Sequence, residues 1–134
     1  MKNNAIIIIS NCQGGAREQD VIEETRPGMF YLKNGKFYIL YEEEQDAVMV
    51  IIDGGQAVMR RSGVCTAVMR FETGKKDAFT YRTPYGAMPM ELVCSKAEAA
   101  LSEEGGAVFL QYKLQFGGEE VQNNLTIHVR KECI

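Results

Sequence analysis

The sequence predicts an all-β protein, an antiparallel up-and-down barrel of about eight to ten strands. Apolar and polar residues alternate with a period of two along most of the chain, the spacing of a strand with one buried face. Residues typical of turns recur about every eight to twelve positions. A meander of this many strands tends to close on itself, because closure removes edges that would otherwise invite aggregation.

The first long strand is expected from Asp20 to Leu32, with a bend at Arg26 to Gly28, because Pro27 fixes its φ angle and Gly28 leaves the chain free to turn. Turns rich in glycine then separate the strand-like runs that follow. These turns are predicted at Asn34-Gly35, Asp53-Gly54-Gly55, Thr73-Gly74, Gly105-Gly106 and Gly117 to Glu120.

The segment FTYRTPYGAMPMELVC, residues 79–94, predicts a hairpin with its turn at Thr83 to Gly86. Tyr85 is expected at the exposed tip. Pro89 lacks an N–H group, so a bulge or a stretch of unpaired edge is expected beside it. An opening of the barrel is expected there, near Tyr81 and Met88; the alternative is a proline that only protects an edge.

The segment SKAEAALSEE, Ser95 to Glu104, is open to two interpretations. Ser95 and Glu98 have the spacing of a helical capping box, whereas Ala97, Ala99 and Leu101 alternate as in a strand. The final strand is clearer. Its odd-numbered residues from Val121 to Val129 are expected to face inward, and the even-numbered ones, which include His128, are expected to face solvent.

The length of 134 residues predicts a single domain over residues 1–134. A net charge of −3 does not favour nucleic acid as a partner, since such binding needs clustered Lys and Arg. No run approaches the roughly 20 apolar residues of a membrane helix. The five consecutive apolar residues from Ala5 to Ile9 are too few for the core of a signal peptide, so we expect a cytoplasmic protein without a membrane partner.

No motif predicts an enzyme, a cofactor or a metal site. His128 is the one histidine of the sequence, and metal sites and catalytic triads need several convergent groups. Glu42, Glu43 and Glu44 are consecutive, so alternation places Glu43 on the face opposite its neighbours and forms no acid/base pair. We therefore expect no catalytic residues.

Four segments carry a resemblance to a known family: MFYLKNGKFYILYEE, RRSGVCTAVMRFETG, YRTPYGAMPMEL and LQYKLQFGGEEVQNNLTIHV. Together they resemble the YwiB-like family of small bacterial proteins over nearly the whole chain. The matching positions are Tyr41, Glu43, Arg61, Ser62, Gly63, Tyr81, Thr83, Pro84, Gly86, Tyr112 and Gly117. The resemblance implies a calycin-like, lipocalin-type barrel and carries no established activity. The chain lacks tryptophan, so the Gly-x-Trp signature of secreted lipocalins is missing.

A barrel of this size can hold one small apolar ligand or fill its interior with side chains. Arg61 shares a face with Met59, and a guanidinium that faces an apolar interior needs a carboxylate, a tyrosine hydroxyl or a bound anion. We therefore hypothesise a protein that binds a small acidic amphipathic ligand, such as a fatty acid, without catalysis. The candidate site residues are Tyr41, Glu43, Met59, Arg61, Tyr81, Met88 and Tyr112.

Three alternatives stay open. The methionines can be core filler, and Arg61 can pair with Glu43 only to set the strand register. A bulge at Ser62-Gly63 can instead turn Arg61 outward. With a filled interior, the protein would be a structural module or would bind another protein through its surface or an edge.

The four cysteines, Cys12, Cys65, Cys94 and Cys133, are far apart in the sequence and are expected to be reduced and largely inward. Denatured protein purified without reductant should therefore titrate as four free thiols, and native protein as fewer. A thiol reagent measures both numbers. Two thiols missing after denaturation would indicate a disulfide and contradict the cytoplasmic assignment.

Overall fold

The structure, a computed structural model, describes residues 3–14 and 19–132. Ten strands make up most of these residues: β1 (Ala5–Gly14), β2 (Gln19–Lys33), β3 (Lys36–Glu43), β4 (Asp46–Asp53), β5 (Gln56–Ser62), β6 (Ala67–Glu72), β7 (Lys76–Thr83), β8 (Gly86–Ser102), β9 (Gly105–Phe116) and β10 (Glu119–Lys131). Over the same residues there is no helix, and so none that is long and apolar enough to cross a membrane. The all-β prediction is confirmed.

The strands form one antiparallel sheet with the order β6-β5-β4-β3-β2-β1-β10-β9-β8-β7. Every consecutive pair except β6 and β7 forms a ladder, and the first strand also pairs with the last. The β1–β10 ladder runs from Ala5 opposite Lys131 to Gly14 opposite Gln122. This pairing brings the two ends of the chain together and rolls the meander into the predicted up-and-down barrel.

The two outer strands of the sheet, β6 and β7, meet at a seam. Thr66 and Arg82 exchange two backbone hydrogen bonds of 3.0 and 2.9 Å at one end of the seam. At the other end, Cys94 of β8 bonds to the backbone of Gly74 and Lys75. Scattered bonds replace a regular ladder here, so the barrel is nearly closed.

The hydrophobic core consists of the inward side chains of most strands. Ile7, Ile39, Val50, Leu110 and Ile127 are each at most 1% exposed. Their positions follow from the register, because side chains on one face of a strand recur at every second residue. The inward residues of β10 from Asn123 to Val129 are buried as predicted, and His128 is exposed.

Most of the predicted turns are confirmed, at residues 34–35, 54–55, 73–74, 84–85 and 117–118. The turn predicted at Gly105-Gly106 instead lies at Glu103-Glu104. The two glycines begin β9, and a Cβ atom on Gly106 would overlap the carbonyl oxygen of Ala100. These glycines are required by the close approach of a neighbouring strand and not by the turn.

The segment from Ser95 to Ser102 belongs to β8, so the strand interpretation was right and the helical one was wrong. A bulge between Cys94 and Lys96 shifts the alternation by one residue. Ala97 therefore faces the core with Cys94, which periodicity alone does not predict. The long strand predicted around Pro27 is confirmed as β2, and its pairing with β3 begins at Gly28.

Pro89 lies in a stretch of unpaired edge, as predicted. Within the described residues, β8 pairs with β7 from Gly86 to Val93, but its ladder with β9 begins only at Glu91. Alternate pairs of an antiparallel ladder exchange hydrogen bonds. Counted from the closing pair Thr83–Gly86, Pro89 falls at a non-exchanging pair, so its missing N–H faces the unpaired side. The bulge lies further along β8, beyond Cys94.

Amide hydrogen exchange tests this edge. Met88 and Met90 have a strand on one side, whereas Leu125 and Ile127 lie between two strands. Because an edge opens locally at lower free energy, we expect the amides of Met88 and Met90 to exchange at least about tenfold faster. Equal protection at all four amides, measured by NMR, would contradict a locally opening edge.

Candidate functional site

A cavity of about 330 Å³, partly open to solvent, lies beside the hydrophobic core. Its apolar lining consists of Ile9, Ile22, Met59, Ala67, Met69, Phe79, Met90, Leu114 and Leu125. Its polar lining consists of Asn11, Glu24, Tyr41, Glu43, Arg61, Tyr81 and Tyr112. A mostly apolar wall with a few convergent polar groups is typical of small-molecule sites, whose volumes run from about 300 to 1,000 Å³.

The structure brings together most of the residues singled out from the sequence. Tyr41, Glu43, Met59, Arg61, Tyr81 and Tyr112 all line the cavity. Met88 does not, and Met90 takes its place. Met88 lies opposite Tyr81, before the ladder with β9 begins, and 41% of it is exposed. Alternation selects the correct face of β8 but does not show where the neighbouring strand ends.

Arg61 points inward and is held by two carboxylates. Its Nη2 donates to Glu43 Oε2 and its Nη1 donates to Asp46 Oδ2, each at 3.0 Å. Glu43 and Asp46 are directly opposite each other on β3 and β4, and Arg61 follows on β5 opposite Val48. The inward orientation and the pairing with Glu43 are confirmed, and the outward alternative for Arg61 is wrong.

Sequence reasoning did not identify Asp46 as the second partner. Asp46 is only 4% exposed, and its Oδ1 also accepts a 3.1 Å hydrogen bond from the backbone amide of Cys65. The turn before it, Glu44-Gln45, contains no glycine, and Glu44 itself has a positive φ of 57°. Recognising a two-residue turn there would have placed Asp46 opposite Glu43 and hence on the inward face.

Gly63 explains why the Arg61-Ser62-Gly63 motif is needed beside this carboxylate. Its φ is 146°, and a Cβ atom would lie 2.5 Å from Asp46 Oδ1. Glycine therefore lets the chain after β5 pass close to Asp46. The motif therefore supplies Arg61, whose guanidinium pairs with Asp46, and Gly63, which is small enough to lie beside the Asp46 carboxylate.

Hydrogen bonding keeps this cluster ionised. The pKa of Asp46 is lowered by the backbone hydrogen bond from Cys65 and by the hydrogen bond from Arg61. Burial tends to lower the pKa of Arg61, but its hydrogen bond to Asp46 and the charge of Glu43 outweigh burial and raise it. Arg61 and Asp46 thus form a charged pair whose members are both largely shielded from water.

Three tyrosines contribute neutral hydroxyl groups to the cavity. Burial raises the pKa of Tyr41 and of Tyr112 well above the ordinary range, so both stay protonated at neutral pH. The pKa of Tyr81 is also raised, by burial and then by a hydrogen bond with the Cys65 thiol. The Tyr112 ring packs edge-on against Phe71, with ring centroids 4.9 Å apart.

A network of side-chain amides lies at the β1–β10 side of the cavity. Asn123 is 1% exposed, and its Oδ1 accepts from Asn11 Nδ2 at 3.3 Å and from Gln13 Nε2 at 3.1 Å. Its Nδ2 donates to the carbonyl of Val121 at 3.2 Å. Asn11 Oδ1 is buried without a hydrogen-bond partner. Sequence reasoning placed Asn123 inward but did not link it to Asn11.

No group of three or more His, Cys, Asp or Glu side chains within residues 3–14 and 19–132 is arranged to hold a metal ion.

Glu24, a cavity residue that sequence reasoning also missed, pairs with Arg26 at 2.9 Å. The inward parity of Glu24 in β2, opposite Ile9, was the signal that could have found it.

Comparison with known proteins identifies the family. Residues 6–127 match the family described as Domain of unknown function (DUF1934). The chain belongs to this family. The YwiB resemblance found from the sequence motifs is confirmed, because the chain is 30% identical to the uncharacterized beta-barrel protein YwiB of Bacillus subtilis (strain 168) over 114 residues, which cover 81% of this chain and 80% of YwiB.

The family fold is seen in a crystal structure of the Bacillus subtilis ywiB protein. The two structures superpose with a TM-score of 0.90 at 24% sequence identity, covering 98% of this chain and 93% of the other. This likeness shows that the DUF1934 barrel is shared. The activity of the family is undescribed, so function must be argued from the cavity itself.

The stability of the Arg61 cluster should depend on pH. Because the folded-state pKa of Asp46 lies below its ordinary value of 3.8, its ionisation stabilises the fold above about pH 4. That contribution is lost as the pH falls through the folded-state value. We expect Asp46→Asn to be less stable than the parent protein at pH 7, with a gap that narrows below pH 4.

Chemical denaturation at pH 7, 5 and 3 measures this difference. Asp53→Asn is the matched control, because Asp53 has an exposed side chain and contacts Lys36 at 3.8 Å. The same pH-dependent loss of stability in Asp46→Asn and Asp53→Asn would contradict a specific role for Asp46.

Proposed function

We propose that the protein binds a small amphipathic molecule inside the barrel and does so without catalysing a reaction. The observation that supports this proposal is the cavity of about 330 Å³, with methionine, leucine and isoleucine side chains on its wall and polar groups at Tyr41, Glu43 and Arg61. Flexible methionines adapt to irregular apolar ligands. A void of this size also argues against a fully packed interior, since packed cores leave few voids larger than a water molecule.

The cavity bounds the size of the ligand. Its volume of about 330 Å³ lies at the lower end of the roughly 300 to 1,000 Å³ found for small-molecule sites, which favours a short ligand. An eight-carbon chain with a small polar head group is of that order. Longer chains would need to extend past the lining residue Ile22, which is 49% exposed.

The charge of the head group is a separate question. The sequence-based hypothesis of an acidic ligand, such as a fatty acid, requires Arg61 to be available to an anion. Arg61 already donates to Glu43 and Asp46, so a ligand carboxylate would have to share this guanidinium with two carboxylates. The proposal is therefore an amphipathic ligand, with the acid as one member of the class.

A second candidate is a protein that binds another protein through its outer surface. A concavity of about 1010 Å³ on the outer face is lined in part by Met29, Leu40, Met49, Arg60 and Val68. Apolar side chains beside an arginine are common in protein interfaces. Binding of another protein there is compatible with a ligand inside the barrel.

We further propose a cytoplasmic location and no nucleic-acid partner, on the net charge of −3 and the free thiols of Cys12, Cys65 and Cys94. Cys133 lies outside the described residues. The likeness to calycins is a prediction from the resemblance.

Binding of 1-octanol tests the proposal, because a neutral chain probes the cavity independently of charge. We expect saturable binding by titration calorimetry and a rise in melting temperature with octanol concentration. Ala67→Phe places a ring in the cavity opposite Arg61 and should weaken binding at least about tenfold.

Ala78→Phe is the matched control, because Ala78 is an exposed residue of β7 and does not line the cavity. Native mass spectrometry of gently purified parent protein provides a second readout, since a retained mass would reveal a ligand directly. Undetectable octanol binding, or equal loss in the two phenylalanine variants when both are folded, would refute a cavity site.

A further inference from the structure

The charged groups around the cavity carry a negative excess. Glu24, Glu43 and Arg61 line it, two carboxylates against one guanidinium. Their ion-pair partners are Arg26 for Glu24 and Asp46 for Arg61. With these included, three carboxylates face two guanidiniums. A ligand with a positive head group would bring this set to neutrality, whereas an anion would double the excess.

The two glutamates that line the cavity keep acceptors that a ligand can use. Arg61 donates one N–H group to Glu43 and another to Asp46. Glu43 and Glu24 each use one carboxylate oxygen, Oε2, in the bonds found among the described residues. Each carboxylate therefore keeps an oxygen that can accept a hydrogen bond from a ligand.

Asn11 adds a neutral acceptor, and its orientation is determined by its neighbours. Because Asn123 Nδ2 donates to Val121, its Oδ1 must face Asn11 and Gln13, which both donate to it. Asn11 thus presents Nδ2 to Asn123 and leaves Oδ1 buried without a partner. A buried acceptor without a donor is costly, and a ligand N–H group would relieve that cost.

The two glutamates line the same cavity as Tyr41. Burial is the main cause of the raised pKa of Tyr41, and the charges of Glu43 and Glu24 both add to it. Tyr41, Tyr81, Tyr112 and Phe79 also surround the cavity with aromatic rings. Aromatic faces attract cations and repel anions.

We propose that the head group of the ligand is an ammonium cation, held by Glu24 and Glu43 near Tyr41 with Asn11 Oδ1 as a further acceptor. This inference rests on the proposed cavity site and specifies the class of ligand: a small amphipathic amine. An ammonium group offers three donors and no acceptor, which complements this set. Arg26 Nε is also buried without a partner, but Arg26 lines the outer concavity and not the cavity.

Three eight-carbon probes test the inference: octylammonium chloride, sodium octanoate and 1-octanol, each below its critical micelle concentration, at pH 7 and low ionic strength. We expect octylammonium to bind at least about tenfold more tightly than octanoate, and its affinity to fall as salt is added. Octanoate binding as tightly as octylammonium, or more tightly, would overturn the inference.

Glu43→Gln and Glu42→Gln form a matched pair, because they remove the same charge from adjacent residues on opposite faces of β3. Glu43→Gln should weaken octylammonium about tenfold and leave octanol unchanged, whereas Glu42→Gln should leave both unchanged. Glu24→Gln is the second variant, for the case that Glu43→Gln lowers the melting temperature too far for binding to be measured. Equal effects of the inward and outward variants would refute a local ammonium site.

The binding of octanol distinguishes the proposed cavity site from the proposed ammonium site. Octanol binding without a preference for octylammonium would refute the ammonium site and retain the cavity site. Absence of binding by all three probes to the folded parent protein would refute both.

Discussion

The pairing of β1 with β10 is the constraint on which the rest of the barrel depends. It joins residues 5–14 to residues 122–131, more than a hundred positions apart, and every other ladder links strands that are neighbours in the sequence. Without it, the ten strands would divide into two sheets, β1–β6 and β7–β10, joined by the scattered bonds of the β6–β7 seam. Contacts so distant in sequence cost loop-closure entropy before they stabilise the fold, so barrels of this kind form slowly compared with locally connected proteins. The same closure brings Asn11 to Asn123 and thus builds one wall of the cavity.

Buried charge shapes the other wall. Glu43, Asp46 and Arg61 come from three consecutive strands. The backbone amide of Cys65 donates a further hydrogen bond to Asp46. Burying a charge is unfavourable unless the charge is paired and hydrogen bonded. Here the Arg61 guanidinium donates to both carboxylates, so all three charges have a partner of opposite sign. The consequence for binding is that Arg61 already donates to two carboxylates, while Glu43 and Glu24 each keep a carboxylate oxygen that can accept a hydrogen bond from a ligand.

Comparison with the ywiB crystal structure shows that this chain and a relative share the barrel, but membership of the DUF1934 family does not indicate a chemical function. The TM-score of 0.90 at 24% identity shows that the fold tolerates extensive sequence change. A barrel of this type is a scaffold on which unrelated functions can be placed. The volume and lining of one cavity therefore support ligand binding, and the polar atoms of that cavity that lack partners favour an amine.

Much of this protein could be predicted from alternation and turn residues alone. Period two identified the strands and set Glu43 apart from Glu42, because successive side chains of a strand point to opposite faces. The same parity put Arg61 and Met59 on one face, and both line the cavity. Tertiary structure alone decided which inward residues meet. Asp46, which follows a turn without glycine, contacts Arg61 of the neighbouring strand. Met90 replaces Met88 in the cavity lining near the start of the β9 ladder, and the bulge after Cys94 resets the inward face of β8. Period two assigns a face to each side chain, but the lengths of neighbouring ladders and the curvature of the closed sheet determine distances across the interior, and no local pattern encodes them.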